Sequence, residues 1–284
     1  MQIFVCIKQV PDSGQIRVHP VTNTIMRQGV PTIINPYDLF GLEEALRLRD
    51  RFGGQVTVMT MGPPMAVESL RKAMTFGADR AVLLTDRIFA GSDTLATSYA
   101  LAQLIRKAGE TWGEPDIVFC GKQTIDGDTA QVGPGIARRL GLSQLTYVSG
   151  IDDLDMVDRK ILVRRRGDHG VQVLRSVMPV MITMMEGSNE IRRGTQADAL
   201  RAAQAEIVQW NGAAAGIEDT AMCGLRGSPT VVKKVFAPTA RAEKAEMIAT
   251  GTETPAALAE TLIDAIFTRQ PVLQADLLQQ AATH

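Results

Sequence analysis

Apolar residues in this chain gather into short unbroken runs, and the stretches between them carry apolar positions three and four apart. The first pattern is that of buried strands and the second that of one-sided helices. Ile3 to Ile7 predicts a strand, closed by Pro11-Asp12-Ser13-Gly14 and followed by a polar section to Gly29. Asn35-Pro36 introduces a helix over Tyr37 to Asp50, with Leu39, Leu42, Ala45, Leu46 and Leu48 at near-helical spacing and Gly53-Gly54 as its stop. Val56 to Met61 predicts the next strand, Met65 to Phe76 a helix, and Ala81 to Thr85 a third strand. Asp93 to Ala108 follows as a helix, Asp116 to Cys120 as a strand, and Asp128 to Leu140 as a helix, with Asp128 as its N-cap and Thr129 and Ala130 in its first turn.

After Leu142 the rhythm changes. Gln144 to Val148, Lys160 to Arg165, Val171 to Arg175 and Val180 to Met184 read as strands joined by short turns. Arg164-Arg165-Arg166 reads as the charged solvent face of a hairpin in preference to a phosphate patch. An alanine-rich helix is expected over Gln196 to Ile207, a loop over Asn211 to Gly227, and a closing helix over Thr254 to Phe267. Ser228 to Thr250 has few apolar residues after Phe236, which predicts an extended arm unable to fold by itself. The expected class is therefore α/β: a Rossmann-like parallel sheet with helices on both faces, a small antiparallel extension and a C-terminal arm. Residues 1–194 form the expected nucleotide-binding domain with its antiparallel extension, and residues 195–284 a helical segment and an arm expected to pack on a partner chain.

Composition narrows the function. With 30 basic and 31 acidic side chains the formal charge is −1, which argues against a general nucleic-acid binder. Cys6, Cys120 and Cys223 are widely separated, so they make neither a disulfide framework nor a metal motif, and buried reduced thiols are expected at the first two. His19, His169 and His284 fall in polar or terminal positions and read as surface histidines. No stretch reaches the length of a membrane span and the start of the chain does not look like a leader, so the expectation is a cytoplasmic protein that meets a membrane only through a partner. No hydrolytic triad, cysteine–histidine pair or paired carboxylate stands out, which favours a bound cofactor as the carrier of the chemistry.

The strongest candidate for that cofactor is Gly121 to Pro134, GKQTIDGDTAQVGP, lying between a predicted strand and a predicted helix. It matches neither the dinucleotide fingerprint nor the P-loop. Its context nonetheless leaves backbone N–H groups free at a helix start, where an anion binds. Gly121, Gly127 and Gly133 permit tight turns and close approach. Asp126 and Asp128 would repel a pyrophosphate and are expected to point away from it, capping N–H groups or accepting ribose hydroxyls. Asn35-Pro36 and Met61-Gly62-Pro63 also follow strand ends, where ligands of open α/β sheets collect. Thr94 and Thr97 lie on one face of a helix start, and their hydroxyls either meet a ligand or cap the helix.

These stretches together resemble the beta subunit of electron-transfer flavoproteins, and within that family the FixA type of nitrogen-fixing bacteria. The resemblance runs through VCIKQVPD (Val5 to Asp12), NPYDLFGLEEALRL (Asn35 to Leu48), TMGPP (Thr60 to Pro64), GADRAVLLTDRIFAGSDTLATS (Gly77 to Ser98) and GKQTIDGDTAQVGP. NEIRRG (Asn189 to Gly194) and CGLRGSPTVV (Cys223 to Val232) extend it beyond the sheet. It implies an electron-transfer subunit paired with an alpha subunit, here of the FixB type, that carries a second FAD. Housekeeping members of the family hold AMP and take electrons from acyl-CoA dehydrogenases, whereas bifurcating members hold FAD in the beta subunit and oxidise NADH. Asp86 to Ser98 resembles the bifurcating group, which implies Thr94 and Thr97 as flavin contacts. The adenosine and pyrophosphate pocket implied is Cys6, Ile7, Asn35, Met61, Gly62, Gly121, Asp126, Gly127, Asp128, Thr129, Ala130, Gln131, Val132 and Gly133, with no catalytic side chain and no metal.

The implied acceptors are a membrane-associated quinone oxidoreductase with its ferredoxin-like protein, and a ferredoxin or flavodoxin that feeds nitrogenase. Housekeeping relatives continue after the Asn-Glu pair with a proline, an aromatic and a leucine-bearing recognition loop, where this chain has Ile191-Arg192-Arg193-Gly194. Two rivals stand beside this reading: a housekeeping subunit with structural AMP, and a nucleotide-binding regulatory protein built on a similar sheet.

Overall fold

The computed structural model describes residues 1–12, 31–233, 247–248 and 254–281. His19, His284 and most of the expected arm lie outside the described residues. The chain divides into two compact units, Met1–Phe236 and Ala237–His284.

In the first unit, β1 (Gln2–Cys6), β4 (Gln55–Met61), β5 (Arg80–Leu84) and β6 (Ile117–Gly121) are the predicted apolar runs, and nearly every residue in them is buried. A short hairpin of β2 (Gln9–Pro11) and β3 (Thr32–Ile34) stands apart from them. Helix α1 (Pro36–Phe52) starts with proline in its first turn, where the missing N–H costs nothing, and Gly53 ends it at φ 75°. A 3-10 turn, Pro64–Ala66, leads into α2 (Val67–Thr75). Asp93 caps α3 (Thr94–Trp112) by accepting the N–H groups of Leu95 and Ala96. Helix α4 (Val132–Leu140) follows β6. Next come β7 (Ser143–Asp155), β8 (Lys160–Gly167), β9 (Gly170–Val177) and β10 (Val180–Met184). The unit continues with α5 (Gln196–Gln204), opened by a Thr195/Asp198 capping box, and β11 (Val208–Trp210).

These strands form one nine-stranded sheet in the order β11-β5-β4-β1-β6-β10-β7-β8-β9. Pairing is parallel from β11 through β7, and β8 and β9 add the antiparallel extension. Alternate residues of each strand face opposite layers. Ile3, Val5, Val58 and Phe119 pack with Leu42 and Leu46 of α1 and Leu70 and Met74 of α2. Phe4, Met59, Val82 and Val118 pack with Leu101, Leu104 and Ile105 of α3 and Ile136 of α4 on the other side. The expected parallel sheet with helices on both faces is thus present. On β8 the burial alternates, with Ile161 and Val163 buried and Arg164 and Arg166 exposed on a solvent face, while Arg165 between them is half-buried.

Three expectations change. Helix α4 starts at Val132, four residues later than Asp128, for reasons that belong to the site below. The alanine-rich helix stops at Gln204, where Arg71 of α2 donates to the carbonyls of Ala202, Ala203 and Ala205 and closes its last turn. The freed chain then adds β11 beside β5. Among its described residues the second unit has two helices where one was expected: α6 (Pro255–Arg269), capped by the Thr254 hydroxyl, and α7 (Pro271–Ala281). Among the described residues no helix is long and apolar enough to cross a membrane, and no cluster of His, Cys, Asp and Glu has metal-site geometry.

Candidate functional site

Helix α1 carries the chain from β1 to β4 and α2 carries it outward to β5, whereas α3 brings it back across to β6 on the far side of β1. The direction of winding therefore reverses between β1 and β6, and the loops leaving their carboxyl ends part to leave a crevice. Every residue singled out in the sequence lies at this edge of the sheet. Cys6 and Ile7 end β1, Met61 and Gly62 end β4, Asn35 precedes α1, Thr94 and Thr97 open α3, and Gly121 to Gly133 lead from β6 into α4. Two clefts lie elsewhere. One of about 140 Å³ sits between α1 and β7, and one of about 180 Å³ between α3 and residues 213–216. Neither is lined by residues of the carboxyl edge.

The cradle is built by long-range polar contacts. The Asn35 amide donates to the carbonyl of Gln123 (2.8 Å) and to Asp38 (2.9 Å), while its oxygen accepts the N–H of Ile125 (3.2 Å). Both amide hydrogens of Asn35 are thus spent on protein. The side chain of Gln123 donates to Asp128 Oδ1 (2.8 Å). Lys8 reaches across from the end of β1 and pairs with both oxygens of Asp126 at 2.8 Å. Burial works against that charge, but the Lys8 hydrogen bond and its charge hold the Asp126 carboxyl below its ordinary range. Both carboxylates of the loop are therefore engaged by other side chains, so their repulsion of a bound anion is reduced.

The same loop corrects the expected cap. Asp128 and Ala130 have φ of 52° and 54°, in the left-handed region, so Asp128, Thr129 and Ala130 cannot begin a helix. Such residues cost of order 1–3 kcal/mol each and persist only where their surroundings over-determine them. Gln131 takes the cap position without a side-chain cap bond. Left- and right-handed residues in succession turn their N–H groups to one side, making a concavity that suits an anion. Among the described residues, no oxygen accepts from the N–H groups of Thr129, Ala130, Gln131, Val132 or Gly133. This donor set fits a pyrophosphate.

The three glycines do different work. A Cβ at Gly121 would lie 2.5 Å from Asp38 Oδ1, and one at Gly133 2.6 Å from Thr183 Cγ2, so these two make room for protein. At Gly127 it would meet only Thr124 Oγ1, at 3.2 Å, which leaves this exposed position as the point of close approach from outside.

At the opening of α3, the cap is Asp93, which removes capping as the explanation of the two threonines. The Thr94 hydroxyl donates to Gln131 Oε1 (2.8 Å) and so ties the first turn of α3 to the start of α4. Thr97, one turn on, is half-buried on the same side of the helix. The floor beneath holds two thiols. Hydrogen bonding to Cys6, then burial, holds the Cys120 thiol well above its ordinary range, which makes it a packing group and no nucleophile.

Three further residues shape the cradle and escaped the sequence reading: Lys8, Gln123 and Asp38. Asp38 is buried and accepts from the N–H of Lys8 (2.7 Å), the Asn35 amide and the N–H of Gly121 (3.1 Å). Its place three residues after Asn35 has capping-box spacing, the one available signal. Burial pushes its carboxyl up to about 7, against the hydrogen bonds from Asn35, Lys8 and Gly121 and the Lys8 charge. Between the ordinary carboxyl value of 3.8 and about 7, the folded chain holds a proton here that the unfolded chain has released. Stability relative to Asp38→Asn is therefore expected to fall as pH rises through that window and to level off above it. Urea unfolding of both proteins across that range checks this, and a constant difference contradicts it.

A doubly wound sheet with unpaired N–H groups at its switch point places this chain among the open α/β sheets whose ligands collect at that edge. Residues 22–215 match the family model of the electron transfer flavoprotein domain. The chain is 70% identical over 277 residues to Protein FixA of Azorhizobium caulinodans, with 98% of each chain covered. It is 59% identical over 281 residues to Protein FixA of Azotobacter vinelandii, covering 99% of this chain and 100% of that one. To the electron transfer flavoprotein subunit beta of Megasphaera elsdenii it is 45% identical over 244 residues, covering 85% and 89%. The chain belongs to the electron-transfer flavoprotein beta/FixA family and has that family's general role in electron transfer.

Proposed function

We propose that this chain is the FAD-binding beta subunit of a heterodimeric electron-transfer flavoprotein. The observation that carries the cofactor is the row of unpaired N–H groups from Thr129 to Gly133, set at the same sheet edge as Thr94 and Thr97. Those N–H groups would hold the pyrophosphate. Gly127 would let the dinucleotide approach the backbone, Thr97 would donate to the ring, and Thr94 would donate to it on exchanging its present acceptor, Gln131 Oε1. FAD, when bound, supplies exchange of electrons singly or in pairs. The chain itself binds and orients the cofactor and offers hydrogen-bond donors to charge on it.

The complex is read as oxidising NADH and dividing its two electrons. One goes through the alpha subunit to a membrane-associated quinone oxidoreductase, the other to ferredoxin or flavodoxin and on to nitrogenase. The relatives named FixA support this role. A local observation also speaks against an acyl-CoA dehydrogenase as donor. Asn189 donates to the carbonyl of Phe40 and to Glu44, and Arg192 donates to the buried Glu43 and to Asp50, so Asn189 to Arg192 is fastened along α1. A segment fastened in this way is not free to project as a recognition loop.

Thr94→Val and Thr97→Val in the heterodimer test the ring contacts. A hydrogen bond to a charged acceptor is worth about 1.5–3 kcal/mol. Losing one is expected to shift the two-electron potential of this flavin by about 30–60 mV. FAD content stays unchanged in both, and so does the melting temperature of Thr97→Val, since Asp93 supplies the cap; Thr94→Val melts lower only by what its bond to Gln131 contributes. Normal potential and normal NADH-driven ferredoxin reduction in both variants contradict the assignment.

A further inference from the structure

The motif CGLRGSPT, Cys223 to Thr230, has no part in the cradle described above, yet it is bound closely to the turn that opens α3. The N–H of Leu225 donates to the carbonyl of Ala90 (3.2 Å), and the N–H of Gly224 to the Ser92 hydroxyl (3.1 Å). Ser228, itself buried, accepts the N–H of Asp93 (2.8 Å) and donates to the carbonyl of Gly224 (2.7 Å). Thr230 donates to Asp93 Oδ2 from both its N–H (3.1 Å) and its hydroxyl (2.8 Å). Only a residue without a side chain fits at Gly224, where φ is 58° and a Cβ would lie 2.3 Å from the carbonyl oxygen of Ile88.

The two oxygens of Asp93 are therefore divided. Oδ1 accepts the N–H groups of Leu95 and Ala96 inside the helix, and Oδ2 is held by Thr230. Burial works against the charge of Asp93, but the bonds from Thr230, Ala96 and Leu95 outweigh it and keep the carboxyl below its ordinary range. An N-cap needs only the first pair of bonds. The second pair fixes the side chain from outside the helix, through a segment about 135 residues away in sequence. Thr94 follows Asp93 directly, and the N–H of Thr97 donates to the Asp93 carbonyl, so whatever fixes Asp93 fixes both threonines.

We infer that Ser228 and Thr230 are positioning residues: they clasp Asp93 and so hold the first turn of α3, with Thr94 and Thr97, in place against the cofactor ring. The last clause rests on the proposed FAD site; the clasp itself does not. Both act through Asp93, so their effect on the ring is indirect.

The test uses the full chain in its heterodimer with the alpha subunit, as Thr230→Val, Ser228→Ala and the conservative Thr230→Ser. Thr230 is exposed, so its replacement leaves the fold intact. Amide exchange at Leu95 and Ala96 is expected to speed up about 3- to 10-fold in Thr230→Val and Ser228→Ala, as the loss of one hydrogen bond implies. At full FAD content, the visible circular dichroism and the potential of the flavin in this subunit change with it, and Thr230→Ser restores both. Unchanged exchange at Leu95 and Ala96 overturns the clasp. Faster exchange with an unaltered flavin spectrum and potential overturns the positioning role. If the wild-type heterodimer proves to hold no FAD in this subunit, the cofactor assignment fails by itself, and exchange at Leu95 and Ala96 still decides whether the clasp holds the helix.

Discussion

Replacing Gly127 with valine is expected to strip FAD from this subunit while leaving the sheet folded. Gly127 is exposed, and an added Cβ would meet one atom only, Thr124 Oγ1 at 3.2 Å. Its backbone is not in the left-handed region, so a side chain brings little strain to the free protein. A dinucleotide lying against that backbone would meet the branched side chain directly. An uncompensated overlap of ~1–3 kcal/mol weakens affinity about 5- to 150-fold. Gly133→Val is a poor substitute, since there the new side chain strikes Thr183 and the fold itself suffers. Purified heterodimer carrying Gly127→Val with unchanged FAD content contradicts the assignment of the Thr129 to Gly133 cradle.

Truncation after Lys233 is expected to abolish binding of the alpha subunit and to leave the sheet unit soluble. This cut keeps Ser228 and Thr230 on Asp93 and removes α6 and α7. No residue of α6 is buried, and Leu262, Ile263 and Ile266 are exposed on it, as are Leu273 and Leu277 on α7. Leu262 and Ile266 are four apart, as are Leu273 and Leu277, so each helix shows an apolar stripe. Helices this short are marginal in water unless such a stripe is covered. Covering five such side chains is worth roughly 8–15 kcal/mol before the costs of association, which run to ~4–15 kcal/mol. Losing that contribution is enough to dissociate a complex. Co-purification of the truncated chain with the alpha subunit at full affinity contradicts the proposal that the C-terminal arm with α6 and α7 holds the partner.

What was legible in the sequence was what depends on near neighbours. Apolar runs such as Val56 to Met61 have a single reading as buried strands, and the Gly53-Gly54 stop directly follows the helix it ends. The shifted start of α4 was not legible, because Asp128-Thr129-Ala130 has the residue types of a capped helix start. The left-handed turns at Asp128 and Ala130 belong to a loop fastened by Asn35, Gln123 and Lys8, the first and last of which come from other elements. The early end of α5 depends in the same way on Arg71, some 130 residues distant. The positions of the candidate site could be named from motifs, but their division of labour could not. Gly121 and Gly133 serve packing, Asn35 and Asp38 serve the loop, and Asp93 relieves Thr94 of the cap. All but the last of these rest on contacts between residues far apart in sequence, which no local pattern encodes.

The heterodimer is read as a two-flavin complex, and its nucleotide content tests that most directly. Purified from its natural source or co-expressed with the alpha subunit, the complex is denatured, and the released nucleotides are separated and counted against protein. Two FAD per heterodimer and no AMP is the expected result. One FAD and one AMP would contradict it, leaving the cradle from Thr129 to Gly133 as the site of a structural nucleotide.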